Sequence, residues 1–349
     1  MRILHVLFSS RIAGSERYCI DLANRQTMAG HEVHVAGMRS SPLRDALSDK
    51  VHFHGFNWFF RSLLLRNLVD DLKPDICHGH LSAACKALSR VSEQHQTVAT
   101  LHVGYKAHQH AGLNGLICVN RAQSAHLADF RGLARVIPNW LPLEPTKSST
   151  PGLREQLGLS EDVFLIGAVG RLHASKGMDV LISAFCAGAP AQAALVILGE
   201  GPQRSRLETL RKGDSRIHLL GFRSDIHHCL QDLDLFISPS REESFGLAIV
   251  EAMSAGLPII ASAAEGPAEF LRDQPAVLVP PDSIAAIAAA ITAAYGQFCT
   301  NHGLPRIGYD LSLFDPVARL ANITDFYAHV IETKQRSRAR LARRVAVAT

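Results

Sequence analysis

No run of apolar residues in this chain approaches the roughly 20 needed for a helix to cross a bilayer. The opening Met1-Arg2-Ile3-Leu4-His5-Val6-Leu7-Phe8-Ser9 has no small-residue cleavage site of the kind a secretory leader carries. That opening reads instead as the first strand of a sheet. The seven cysteines (Cys19, Cys77, Cys85, Cys118, Cys186, Cys229 and Cys299) are odd in number and have no paired spacing. This excludes a disulfide framework and points to a reducing cytoplasm. His227-His228-Cys229 and His108-Gln109-His110 lack the ordered ligand spacing of a structural zinc site, so no metal is expected at either. No internal repeat and no nucleic-acid-binding module is visible.

Charge of one sign is scarce as well, at +4 overall. What excess there is sits at the end, where Lys334, Arg336, Arg338, Arg340, Arg343 and Arg344 follow one another with no acid between them. The rest of the chain is slightly acidic. Two readings of this tail stay open: a solvated end, or a basic patch attracted to anionic lipid.

At 349 residues, the length suits two ordinary domains. In the first 140 or so, short apolar runs alternate with helical patterns: strands at 3–8, 32–36, 75–78, 97–102 and 115–119, with a helix from Ser15 to Ala29 closed by Gly30. The periodicity fails where prolines cluster, from Ile137 to Pro151. A second alternating series then begins, with strands at 164–169, 194–198, 217–220, 235–237 and 259–261 and an alanine-rich helix from Ala285 to Ala294. Strand and helix in alternation imply right-handed crossovers and parallel sheets covered on both faces. The expectation is an α/β chain of two doubly wound, Rossmann-like domains facing an interdomain cleft. Their boundaries fall at 1–145 and 146–310, and a helical segment at 311–349 returns to the first domain with its basic tail. Such sheets bind ligands at the carboxyl ends of their strands.

The densest signal runs from Pro239-Ser240-Arg241-Glu242-Glu243-Ser244-Phe245-Gly246 into Leu247-Ala248-Ile249-Val250-Glu251 and on to Gly256-Leu257-Pro258. A strand ends, a helix starts, and two carboxylates eight positions apart bracket that start. The plain alternative places Glu243 in a first helical turn, where a carboxylate suits the dipole, and leaves Glu251 an ordinary surface residue. A hydrolase dyad fits poorly. Eight helical residues span roughly 12 Å, whereas paired carboxylates at a glycosidic bond stand about 5 to 9.5 Å apart.

Read in order, Gly170-Arg171-Leu172, Lys176-Gly177, Gly199-Glu200-Gly201-Pro202, Gly221-Phe222 and the Glu243 to Glu251 segment resemble the motifs of the family 4 (group 1) retaining glycosyltransferases of GT-B fold. Looser agreement continues through Ala13-Gly14-Ser15-Glu16-Arg17, Pro74-Asp75-Ile76-Cys77-His78-Gly79-His80, Leu101-His102 and Ile137-Pro138-Asn139. The resemblance implies transfer of a sugar from a nucleotide-sugar donor, a UDP- or GDP-sugar, to a hydroxyl of a glycan or lipid-linked acceptor in polysaccharide or lipopolysaccharide synthesis. It implies no metal, no separate cofactor and no nucleic-acid partner. Arg171 and Lys176 would meet the pyrophosphate, as transition-state charge requires. Glu243 would accept from the sugar hydroxyls, and His102 would position the reacting sugar. Gly14, Gly170, Phe245, Gly246, Leu247 and Ala248 would line the donor, Glu251 would take the ribose, and Gly221 and Phe222 the base. Ala13-Gly14 departs from the family's paired glycines. Asp232-Leu233-Asp234 imitates a metal-binding Asp-x-Asp but is expected to be structural. The competing readings are an epimerase or hydrolase of the same architecture and a non-catalytic sugar-nucleotide sensor. The Phe56 to Arg66 stretch is either a core-facing helix or, with the basic tail, a peripheral attachment to the cytoplasmic face of the inner membrane.

Overall fold

The computed structural model describes residues 1–141 and 151–348, with side chains in the last helix described only through 336 and at 339. The expected linker from 142 to 150 and the side chains of Arg338, Arg340, Arg343 and Arg344 lie outside the described residues. The chain divides into two compact units, the described parts of Met1–Pro142 with Asp315–Thr349, and those of Leu143–Phe314.

The first unit is built on seven parallel strands: β1 (Arg2–Leu7), β2 (Glu32–Met38), β3 (His52–Phe56), β4 (Ile76–His80), β5 (Thr97–Leu101), β6 (Gly115–Cys118) and β7 (Leu133–Val136). Their order is β3-β2-β1-β4-β5-β6-β7, so the winding reverses beside β1. Every residue of β4 and β5 is buried, as befits central strands of a parallel sheet covered on both faces, even though β4 carries His78 and His80 and β5 carries Thr97 and Thr100. Register decides which face each side chain takes. His5 lies opposite His78, His78 opposite Val98, and His80 opposite Thr100. With side chains alternating along each strand, His5, His78, His80 and Thr100 share the face of Ile3, Ile76 and Val98.

Two helices cover that face. Gly14–Met28 brings Tyr18 and Leu22, and the last helix, Pro316–Ala348, brings Ile323, Phe326, Tyr327 and Val330. Lys334 on this last helix donates to the carbonyl of His95 at 2.6 Å and to Asn114 Oδ1 at 3.1 Å. It therefore fastens the helix to the sheet and is no part of a solvated tail.

The second unit holds six parallel strands: β8 (Phe164–Val169), β9 (Ala193–Leu198), β10 (Ile217–Gly221), β11 (Leu235–Ser238), β12 (Ile259–Ser262) and β13 (Val277–Val279). Their order is β10-β9-β8-β11-β12-β13. The winding reverses between β8 and β11, the position at which open α/β sheets form their ligand crevice. The Met178–Gly188 and Ile284–Asn301 helices pack on the sheet through Leu181, Phe185, Ile287 and Ile291.

Candidate active site

Three glycine motifs interlock at the carboxyl ends of β8, β9 and β10. Gly199 has φ +152°, and a Cβ there would stand 1.9 Å from the Gly170 carbonyl oxygen. A Cβ on Gly201 would stand 2.3 Å from the Leu172 carbonyl oxygen. The Gly199 N–H donates to the Gly221 carbonyl at 2.7 Å, and the Leu172 N–H to the Glu200 carbonyl at 2.9 Å. Backbone thus packs on backbone, and no side chain fits between.

The loop after β8 is tied in turn to the loop after β11. Gly177, at φ +63°, lies so near Pro239 that a Cβ would stand 2.0 Å from its carbonyl oxygen. The Arg241 and Glu242 N–H groups both donate to the Ser175 carbonyl, at 2.9 and 3.1 Å. These two loops bring together four of the expected donor-site residues. The Lys176 stem runs over Gly170, with its Cγ and Cδ 3.9 Å from where a Cβ of that glycine would be. The Lys176 ammonium donates to Glu243 Oε2, and the two side chains are 25% and 16% exposed. Glu243 Cγ would lie 3.4 Å from a Cβ on Gly246, which at φ +97° caps the Leu247–Ser254 helix.

The helix therefore begins four residues past Glu243, which is not in its first turn. Glu243 sits in the loop before it, and its spacing from Glu251 is not that of one helix. Leu247 and Ala248 are the first two helical residues, where backbone N–H groups have no carbonyl within the helix to bond. Phe245 points the other way. Its ring is buried against Phe270 and Phe314, with centroids 5.5 and 5.8 Å away, so only its backbone is available to a ligand. Arg171 is exposed and has no side-chain bond among the described residues. Gly221 adjoins Glu200 Oε1, and Phe222 is exposed. Glu251 is half-buried on the Leu247–Ser254 helix.

Arg241 was not among the expected site residues. It donates to Asp179 Oδ1 at 2.8 Å and to the Ala174 carbonyl at 2.6 Å, and so braces the Lys176 loop against the Glu243 loop. Burial pushes the Asp179 carboxyl up, but the Arg241 hydrogen bonds and charge outweigh it and hold the group below its usual range. Asp234 accepts from Arg154 Nη2 and from the Leu165 N–H, both at 2.7 Å, and Asp232 accepts from the Leu153 N–H. Both acids are engaged in holding the Leu153–Leu157 helix to β8 and β11.

His102 and Gly14 belong to the first unit. Gly14 is the first residue of its helix, not part of a loop before it, and is exposed. His102 follows β5 and bonds through Nε2 to His80 Nδ1 at 3.1 Å. His5, His78 and His80 form a group whose ligating atoms all lie within 4.8 Å of one another. All six ring nitrogens are already committed, to one another, to Gln26 Oε1, to Tyr327 OH, to Thr100 Oγ1 and to His102. No set of free lone pairs converges on a cation there.

The family model of glycosyl transferases group 1 matches residues 163–297, and that of Glycosyltransferase Family 4 matches residues 12–144. The chain belongs to the family 4 (group 1) glycosyltransferases. A lipopolysaccharide core biosynthesis glycosyltransferase of Rhizobium meliloti (strain 1021), LpsD, is 24% identical over 313 residues, 83% of this chain and 87% of that one. An alpha-monoglucosyldiacylglycerol synthase of Acholeplasma laidlawii is 26% identical over 54% of this chain and 58% of its own length. Among solved structures, Anabaena HepE in complex with UDP-glucose superposes with a TM-score of 0.79 at 23% identity, over 94% of this chain and all of that one. WaaG, a glycosyltransferase involved in lipopolysaccharide biosynthesis, gives 0.69 at 16% identity, over 95% and 98%. The fold of this family 4 glycosyltransferase is GT-B, and its activity is glycosyl transfer from a nucleotide-sugar.

Proposed function

We propose that the protein is a retaining hexosyltransferase of cell-envelope glycan synthesis. It would grip its donor between the β8 and β11 loops and need no metal. The observation that carries this reading is the Lys176–Glu243 contact at the switch point, flanked by Gly170 and by the helix start at Gly246.

When the bond to the anomeric carbon breaks, negative charge develops on the terminal phosphate oxygen, and fixed positive groups must meet it. Lys176 supplies a point charge and Arg171, unengaged among the described residues, a planar fork suited to phosphate oxygens. The N–H groups of Leu247 and Ala248 add the helix terminus. Glu243, already bonded to Lys176, is placed to accept from sugar hydroxyls while Lys176 turns to phosphate, and Glu251 takes the ribose hydroxyls. The backbone around Gly221 and Phe222 takes the base. His102 is assigned the hydrogen bond to the donor sugar on the strength of the family resemblance, as is retention of configuration. This charge inventory supports metal independence, as does the engagement of Asp232 and Asp234 in structural bonds.

HepE was solved with UDP-glucose, which makes UDP-hexoses the first donors to test. The relatives named above act in lipopolysaccharide and glycolipid synthesis, which supports an envelope acceptor. No helix among the described residues is long and apolar enough to cross a membrane. A surface attachment has support of its own. Trp58 is 50% exposed, Phe59 90% and Phe60 65%, with Leu63 beside them, while the Arg61–Leu72 helix turns only Leu65 and Val69 fully inward. We infer that this patch rests on the cytoplasmic face of the membrane, with its aromatic rings at the headgroup level.

Lys176→Ala and Glu243→Ala should each abolish most transfer while circular dichroism and the unfolding midpoint stay near wild type. Near-normal transfer by both would end the assignment.

A further inference from the structure

Behind His102 lies a chain of side chains that the transfer reaction does not itself call for. With the Gln26 amide oxygen, which can only accept, turned toward His5, the direction of each bond from His5 to His102 follows. His5 donates from Nε2 to Gln26 Oε1 at 2.7 Å, which leaves His5 Nδ1 as an acceptor. His80 Nε2 lies 3.0 Å from it and must therefore donate, leaving His80 Nδ1 to accept. His102 Nε2, 3.1 Å away, donates in turn.

The other arm is compatible with the same polarity. The Gln26 amide nitrogen donates to the Tyr327 oxygen at 3.4 Å, Tyr327 OH donates to His78 Nδ1 at 2.6 Å, and His78 Nε2 donates to Thr100 Oγ1 at 2.8 Å. Turning the Gln26 amide over would invert each bond from His5 to His102, so that chain has two polarities and adopts one as a unit. His5, His78 and His80 are wholly buried. Burial holds His5 at about 4 and His102 at about 3, and keeps His78 and His80 well below the ordinary imidazole range, so all four rings are neutral near pH 7.

We propose that Gln26, His5 and His80 are positioning residues that lock His102 with its proton on Nε2. Its Nδ1, which has no partner among the described residues, is then left as a hydrogen-bond acceptor toward a hydroxyl of the donor sugar. This deepens the reading above and rests on it for the identity of the ligand. It also sharpens the part His102 plays: a neutral ring with an unprotonated Nδ1 can receive a hydroxyl proton but cannot donate from that atom to a phosphate oxygen. The tautomer itself is independent of that reading.

The test uses the full chain with 15N-labelled histidine. Two-bond nitrogen–proton correlation spectra at neutral pH report which ring nitrogen carries the proton, and His102→Asn identifies the His102 signal by its loss. The expected result is a single Nε2-protonated tautomer for His5, His78, His80 and His102. Protonation of His102 on Nδ1 overturns the proposal.

His80→Gln can accept from His102 and donate to His5, so it should preserve the tautomer and keep kcat/KM within about twofold. His80→Phe and Gln26→Leu should each give two exchanging tautomers at His102 and lower kcat/KM about tenfold, the size of one lost hydrogen bond. An unchanged His102 spectrum in both apolar variants also overturns the proposal. Should no nucleotide sugar be turned over, the functional reading fails while the spectra still decide the relay.

Discussion

Gly177 offers a direct measure of how tightly the two loops of the site are joined, because the chain supplies its own control. Gly177 and Gly158 share φ +63°, yet a Cβ on Gly158 would meet nothing within 4 Å, whereas one on Gly177 would stand 2.0 Å from the Pro239 carbonyl oxygen. Both lie in the Leu143–Phe314 unit, so both report on the same unfolding. Gly158→Ala therefore bears only the left-handed backbone penalty, about 1 kcal/mol. Gly177→Ala bears that and the forced separation of two backbone segments, which overpacking data put at about 1–3 kcal/mol, for about 2–4 kcal/mol in all. Urea unfolding should show the larger midpoint shift in Gly177→Ala with the slope unchanged in both variants. Transfer should separate them further. A displacement near 1 Å of Lys176 from Glu243 would cost about 100-fold in rate, while Gly158→Ala should keep wild-type activity. Equal midpoints and equal rates for the two alanines would refute the idea that the β8 and β11 loops are locked together through Gly177.

Asp234→Ala should lower stability by about 3 kcal/mol, because Arg154 is left largely buried without its carboxylate. EDTA should leave transfer by the wild type unchanged; loss of transfer restored by Mn2+ or Mg2+ would contradict the structural reading of Asp232 and Asp234. The buried histidines predict acid lability of the first unit. Their folded-state proton affinity is lowered, so on acidification the unfolded chain takes up protons first. Stability is then complete above the ordinary imidazole range and falls between about pH 6.5 and 4, by about 1.4 kcal/mol per pH unit for each histidine. Flat stability over that window would contradict it. Replacing Trp58, Phe59 and Phe60 together by Ser should weaken binding to anionic vesicles at least about tenfold with no loss of folding, as a sedimentation assay would show.

How much the sequence disclosed depended on what kind of information was needed. Buried central strands such as 164–169 and 193–198 announce themselves as apolar runs. The strands His52–Phe56, Leu133–Val136 and Val277–Val279 do not, because the first carries two histidines and a glycine and the others are short and partly exposed. All three lie at or near sheet edges, where burial leaves less of a mark. The glycine motifs were legible as motifs, but not their cause, which is backbone-to-backbone packing between loops far apart in the chain. Glu243 was legible as lying ahead of a helix start, and the structure removes the alternative of a first-turn carboxylate: Gly246 at φ +97° sets the helix start after it, and a positive φ cannot be read from the residue type alone. Phe245 shows the same limit, since only the Phe270 and Phe314 rings reveal that its side chain leaves the site. The histidine chain was out of reach, since it needs the register of three strands together with Gln26 and a tyrosine 301 positions further on. Arg241 could have been noticed as a lone cation inside the densest motif.

The central claim, a nucleotide-sugar grip built from Lys176 and Glu243, is tested most directly by calorimetric titration of the wild type, Lys176→Ala and Glu243→Ala with UDP-, GDP- and ADP-sugars. The account predicts that one donor binds the wild type, with a thermal stabilisation near 2.7 kcal/mol at about a hundredfold excess over its dissociation constant, and that each variant binds it at least about tenfold more weakly. Equal affinity in all three proteins, or no binding of any nucleotide sugar to the wild type, would contradict it.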